Sequence, residues 1–307
     1  MRAALAGLKR NRLRYKCTLI YRSDGNYHKF VVGFVSSPVR PTGISGYKIK
    51  FLDSFMKVRN KLYGGEVELM FDSFRHQYTL NNKVVPSVTK ILGIVNKPAL
   101  VAWAANSAID YVSKQIEAGE LYDEIQLESI WDAGRKNHYQ KKTDAGTIGS
   151  FVHNWVEDYI KGKKPAMPVN VDLQEAIKKF LGWKIDNEVE FLTSEQVCYS
   201  KKYNYTGTLD FICKIDGKLY LGDLKTSKGI YPEYLMQTAA YRKAREEEYP
   251  DEDYSGQMIL RIGKEGGFEF AVIRDQAVYK EMLVGFIAAL KLHEQMEFLR
   301  NYSWEQL

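Results

Sequence analysis

Cysteine is scarce in this chain. Three residues in 307, Cys17, Cys198 and Cys213, are odd in number and scattered, which argues against a disulfide framework and for a reducing, intracellular compartment. Three thiolates are also one short of the four that hold an iron–sulfur cluster, so none is expected. No apolar run approaches a membrane span, and Ala3-Ala4-Leu5-Ala6 is too short for a secretory signal, so no membrane partner is expected. Met1 to Lys16 carries six basic residues and no acid, which keeps a mitochondrial presequence as the minor alternative to a cytoplasmic location. There is no G-x-x-x-x-G-K-[ST] phosphate loop, hence no ATP requirement of that kind. His28, His76, His138, His153 and His293 are dispersed without a G-x-S-x-G elbow, which disfavours a serine or cysteine hydrolase. No repeat or low-complexity segment is present. An apolar content of 45% with 13% aromatics is enough to build a core, so a folded chain of one large or two ordinary domains is expected.

Acidic residues are rare at one end only. Residues 1 to 70 hold 14 Lys or Arg against 4 Asp or Glu, whereas the remainder holds 30 against 34, so the net charge of +6 conceals a basic N-terminal segment. Such a segment is either a solvated basic face or a contact for nucleic acid. Short strands from Tyr15, turns at Asp24-Gly25-Asn26, Pro38 to Gly46 and Gly64-Gly65, and one short helix around Ser54 to Tyr63 make it a small β-rich or α+β module ending near residue 70.

The main chemical signal lies at Thr206-Gly207-Thr208-Leu209-Asp210 and Gly222-Asp223-Leu224-Lys225-Thr226-Ser227-Lys228. Between these segments, Asp216-Gly217 is a strong two-residue hairpin turn. If Ile215 faces Lys218, pairing continues with residue numbers adding to 433 and Asp210 falls opposite Asp223 as a non-hydrogen-bonded pair, with Lys225 on the same face. Two carboxylates about 5 Å apart repel by roughly 3 kcal/mol at an effective dielectric near 20. Either one retains its proton or a cation sits between them, and paired hard oxygens suit Mg²⁺ or Mn²⁺. The competing reading is a solvated hairpin with two acids facing by chance, against which stand Leu209, Phe211, Ile212, Leu219 and Leu221, apolar enough to bury both faces.

Around this hairpin the periodicity changes. Arg75 to Val85, turning at Asn81-Asn82, is a second hairpin; Ser87 caps a short helix to Leu92, and Pro98 opens a longer one whose stripe of Leu100, Val101, Trp103, Ala104, Ala108, Tyr111 and Val112 is expected in the core. Leu121 to Lys141 is helical, and Thr147 is a plausible cap for a further helix to Ile160. On that helix His153 and Glu157, four apart, lie at the edge of the apolar face, as structural hydrogen-bonders or as ligands. A helix from Asp172 to Lys184, a strand from Glu190 to Ser200 containing Glu195, a helix opened by Pro232 with Gln237, Tyr241 and Tyr234 on one face, two strands joined through Gly266-Gly267, and a helix from Gln276 to about Arg300 complete the chain. This order predicts an α/β sandwich with a mixed sheet.

Over roughly residues 75 to 300 the sequence resembles the PD-(D/E)XK nuclease superfamily, specifically its RecB-like branch of standalone phage, mitochondrial and CRISPR-associated exonucleases. The likeness rests on Gly146-Thr147 with His153 and Glu157, Gly207-Thr208-Leu209-Asp210, Asp223-Leu224-Lys225 and Gln237-x-x-x-Tyr241, in that order. It implies a restriction-endonuclease-like core over 71–307, a mixed central sheet flanked by helices; the small β-rich or α+β module at 1–70 lies outside the likeness, and its expected DNA contact rests on its basic charge. It also implies an Mg²⁺- or Mn²⁺-dependent DNA exonuclease of replication, recombination or repair, in a phage or bacterial host. The endonuclease and the DNA-binding accessory protein of the same fold are the alternatives. His153, Asp210, Asp223 and the Leu224 backbone carbonyl would ligate the ion, and Lys225 would orient water and stabilise phosphorane charge. Gln237 and Tyr241 would hold the lysine and scissile phosphate, and Glu195 and Glu157 would tune the site or be plain surface acids. The partner implied is DNA, with a recombinase or single-strand-binding protein beside it.

Overall fold

The computed structural model describes residues 57–117 and 119–303. The strand expected from Tyr15, the turns through Gly46 and most of the basic segment lie outside the described residues. Within them the chain begins with two hairpins that make one antiparallel sheet, β1 (Lys57–Leu62), β2 (Val67–Asp72), β3 (Gln77–Leu80) and β4 (Lys83–Val85), in sequence order. The helix expected around Ser54 to Tyr63 is, from Lys57, strand β1. Gly64 and Gly65 at φ 65° and 101° turn it back onto β2, so ladder pairing displaces the weak helical pattern. Asn81 and Asn82 both have φ above zero, as a primed two-residue turn requires. The boundary expected near residue 70 falls inside β2, which pairs on both sides.

Five strands form the second sheet in sequence order: β5 (Glu190–Ser200), β6 (Tyr205–Ile215), β7 (Lys218–Lys225), β8 (Tyr254–Ile262) and β9 (Phe268–Ile273). All neighbours are antiparallel except β7 and β8, which are parallel because helix α5 (Pro232–Glu248) crosses between them. The remaining helices are α1 (Val88–Leu92), α2 (Pro98–Gln115), α3 (Glu124–Ile160), α4 (Val171–Asp186) and α6 (Gln276–Arg300). One sheet face is buried under α4 and the end of α3, where Val152, Trp155, Ile177 and Phe180 meet Phe211, Leu224 and Met258. Its other face lies under α1, α5 and α6, with Val88, Ile91, Ala240, Tyr241 and Phe286 packed on Tyr205, Leu209 and Leu221. The mixed sheet flanked by helices is therefore the observed architecture. Among the described residues no helix is long and apolar enough to cross a membrane.

Two expectations about helices change. The stripe on α2 leaves Leu100 and Val101 exposed, and only Ser107 of that helix is buried, because α2 packs mainly on α3 and not on a sheet. Helix α3 is continuous through Asp144 to Ser150: Asp123, not Thr147, caps it, and the Thr147 hydroxyl donates instead to the Thr143 carbonyl at 3.1 Å. Contacts on both sides hold the glycine-bearing middle in the helix. Asn137 donates to Ser107 O at 2.8 Å, and Lys264 donates to Ala145 O at 2.7 Å.

Gly222 fixes the central strands. A Cβ there would lie 2.0 Å from Cζ of Phe211, its fully buried cross-strand partner, so the ring lies over the glycine. Gly222→Ala is expected to cost about 1–3 kcal/mol in denaturant unfolding, through overpacking. Gly182→Ala on α4, where a Cβ meets nothing within 4 Å, should leave stability unchanged or raise it by up to ~1 kcal/mol. Equal effects at the two positions would refute this packing account.

Candidate functional site

The Asp216-Gly217 turn forms with φ of 50° and 71°, and Ile215 does face Lys218. Pairing follows the expected register as far as Phe211 with Gly222 and then stops, before Asp210 would face Asp223. By register the next hydrogen bond from β7 would run from Leu224 N–H to Leu209 O. Instead that N–H donates to Asp210 Oδ2 at 2.6 Å, so a side-chain carboxylate replaces the ladder acceptor at the point where the strands part. The N–H and C=O of one strand residue point to the same side, so the Leu224 carbonyl also faces the Asp210 side.

Asp223 precedes Leu224 on β7 and is only 2% exposed. Its Oδ1 accepts from Gln237 Nε2 at 3.0 Å, and its Oδ2 is 2.6 Å from Lys225 Nζ. Oδ2 is itself buried, with the Lys225 ammonium as its counter-charge. Burial, with the Asp210 charge added, pushes the Asp223 carboxyl up to about 6 despite the pull of Lys225. Burial pulls the Lys225 ammonium down, but Asp223 and Asp210 outweigh it and hold its pKa above the ordinary lysine value. Lys225 Nζ also donates to Gln237 Oε1 at 3.0 Å and stands 4.7 Å from the centre of the Tyr234 ring.

From the other side α3 presents His153, whose Nδ1 is 3.5 Å from Asp210 Oδ1. Burial pulls this imidazole down, yet the neighbouring Asp210 carboxylate prevails and raises it. Glu195 faces the same acid from β5, in the gap of the register between Ser194–Phe211 and Gln196–Leu209. Its φ of 52° is a left-handed conformation that costs a non-glycine residue roughly 1 kcal/mol or more. Desolvation within the cleft, then Asp210 and Glu157, push its carboxyl up to about 7, although its outer edge remains in solvent. His153, Glu195 and Asp210 each offer a ligand atom within 4.8 Å of the others and could together hold a metal ion. A mixed imidazole and carboxylate set suits a hard or borderline divalent ion.

The residues singled out in sequence thus converge, with changed parts for four. Glu195 belongs to the tightest group of ligand atoms, whereas Asp223 is held on the lysine side. Glu157 is engaged by Lys161 and acts on the site through its charge on Glu195. Tyr241, 2% exposed, meets Gln237 Nε2 at 2.9 Å, so it braces Gln237 from within the core. Gly207 permits that approach, since a Cβ there would fall 2.4 Å from the Tyr241 ring. Two features escaped the sequence reading. The β1–β4 sheet reaches the site strand through Tyr78 Oη and Thr208 Oγ1, 2.7 Å apart, and the buried Arg261 donates to Ser227 O at 3.1 Å, tethering the loop after Lys225. Only the i, i+3 spacing of Tyr234 and Gln237 on α5 signalled the aromatic neighbour of the lysine in advance.

No protein-family model and no curated protein matches this chain. Among solved structures, a protein of Eubacterium rectale named as a candidate exonuclease is 13% identical with a TM-score of 0.31, covering 52% of this chain and 76% of its own. A protein named SSO0001 is 15% identical with a TM-score of 0.26, covering 66% of this chain and 74% of its own. Likenesses at these TM-scores leave fold and chemistry to be read from the chain itself.

Proposed function

We propose that this chain is a divalent-metal-dependent nuclease with a PD-(D/E)XK core of the RecB-like type, hydrolysing DNA phosphodiester bonds as an exonuclease. One observation carries the reading: Asp210 and the Asp223-Leu224-Lys225 segment come together where β6 and β7 part, beside His153. His153, Asp210, Asp223 and the Leu224 carbonyl would hold Mg²⁺ or Mn²⁺, with Glu195 at the rim. Such an ion supplies Lewis acidity and an activated water.

The chain's own residues do the rest. In the metal-free protein the carboxylate neighbours hold the Lys225 proton, and the ammonium serves as a hydrogen-bond donor and positive charge. Aimed at a water or a non-bridging phosphate oxygen, it stabilises the negative charge that grows in the transition state. Gln237 grips Lys225 through Oε1 and Asp223 through Nε2, fixing the spacing between cation and ligand, and Tyr241 locks Gln237. The basic residues before Lys57 would hold the DNA backbone, a proposal that rests on their charge alone.

The test is parallel digestion of end-labelled linear DNA and closed circular DNA with Mg²⁺ or Mn²⁺. Loss of linear DNA alone is the expected result. Cleaved circles would make the enzyme an endonuclease, and tight binding without cleavage of either would make it a DNA-binding accessory protein.

A further inference from the structure

We propose that Tyr231 and Tyr234 form a base-stacking platform beside Lys225, so that the strand entering the site is unpaired DNA, either single-stranded or a frayed end. The proposal rests on the nuclease reading and adds the substrate class. Tyr231 immediately precedes α5 and makes no side-chain cap hydrogen bond, and 44% of it is exposed. Its ring meets that of Tyr234 edge to face, with centroids 5.5 Å apart and planes at 76°. The Lys225 ammonium lies over Tyr234 at 4.7 Å, so the two rings step outward from the residue that would meet the scissile phosphate.

An exposed tyrosine with no role in the core, one ring away from a half-buried cation, is placed to receive the base of the nucleotide whose phosphate reaches that cation. Inside a duplex both faces of each base are already covered by the stack, so away from an end an aromatic side chain can take only an unpaired or extruded base. Depth argues the same way. Asp223 is buried and the Lys225 side chain is only 17% exposed, so a phosphate must descend to them, which a lone strand does without carrying its complement along. The exposed Lys228, in the loop that joins β7 to α5, offers a charge for a neighbouring phosphate.

The test uses the full chain and a single-stranded oligonucleotide with 2-aminopurine at successive positions, bound in Ca²⁺ under conditions verified to give no hydrolysis. Quenching is expected at one or two adjacent positions. Tyr231→Ala should abolish it and weaken binding by about 5- to 150-fold, the span of one base–aromatic stack, while Tyr231→Phe retains both. In Mg²⁺ or Mn²⁺, blunt duplex should be cut at least tenfold more slowly than single strand. An abasic nucleotide at the quenched position should slow the wild type, with no added loss in Tyr231→Ala. Unchanged quenching in Tyr231→Ala, or equal use of blunt duplex, would overturn the proposal. Absence of cleavage with every DNA would instead remove the nuclease reading, and the quenching would still decide whether bases stack here.

Discussion

Lys225→Ala is expected to lower DNA cleavage by about 10²- to 10³-fold, as loss of a single transition-state donor does, while DNA affinity in Ca²⁺ changes little. The same substitution carries a second effect with a sign of its own. Asp223 is buried, its carboxyl is already pushed up to about 6, and Lys225 is the principal group drawing it back down. Without the ammonium the folded-state pKa rises further above the unfolded value, so the folded protein binds a proton that the unfolded chain releases. Stability of the metal-free variant must then fall as pH rises through and above 6. At pH 8 the deficit should reach roughly 3–5 kcal/mol, the usual cost of leaving one member of a buried pair alone, and it should shrink toward pH 5. Urea melts at the two pH values, alongside single-turnover cleavage, decide the matter. A deficit independent of pH would mean that Lys225 is not the counter-ion of Asp223, and undiminished cleavage would remove it from the chemistry.

Mn²⁺ should raise the melting temperature, and the rise should grow steeply between pH 5.5 and pH 8. Asp223 and Glu195, pushed up to about 6 and about 7, and His153, raised above 6.5, must all give up protons before their atoms can ligate. At the lower pH protons compete with the ion, whereas at the higher pH the ion replaces only electrostatic repulsion. At a hundredfold excess over its dissociation constant, an ion confined to the folded state contributes about 2.7 kcal/mol. Asp210→Asn should abolish most of the shift, because Asp210 stands between His153 and Glu195 and also accepts from Leu224 N–H. The wild-type measurement is thermal unfolding at constant ionic strength with and without Mn²⁺. A shift of equal size at both pH values, or one that survives Asp210→Asn, would place the ion elsewhere.

The hairpin was readable from sequence because one local device set it: an Asp-Gly turn admits a single close register, and that register holds as far as Phe211 with Gly222. Beyond it the prediction of facing aspartates gave way, since the Asp210 side chain captured the Leu224 N–H that the ladder would have used. The pairing of Gln237 with Tyr241 was visible as a four-residue spacing on α5, yet which of them met the site and which faced the core was not. Periodicity places a side chain on a face and says nothing of what lies against it. Glu195 looked like any strand carboxylate, and only a left-handed backbone conformation opposite Asp210 brings it into the ligand group. The break expected at Thr147 failed for a related reason: local cap chemistry competes with packing along the whole helix, and Lys264, from the distant β8–β9 turn, secures the very segment that looked like a terminus.

By itself, then, the sequence determined the strand and helix order of the second sheet, its turns, and which residue types carry the chemistry, all of which depend on neighbours within a few positions. Tertiary structure alone decided that α3 and β5 bring His153 and Glu195 to Asp210, that Asp223 is buried against Lys225, and that Tyr231 stands exposed against the Tyr234 ring. Burial and charge proximity are sums over groups far apart in the chain, and those sums, not residue identity, set the protonation of this site.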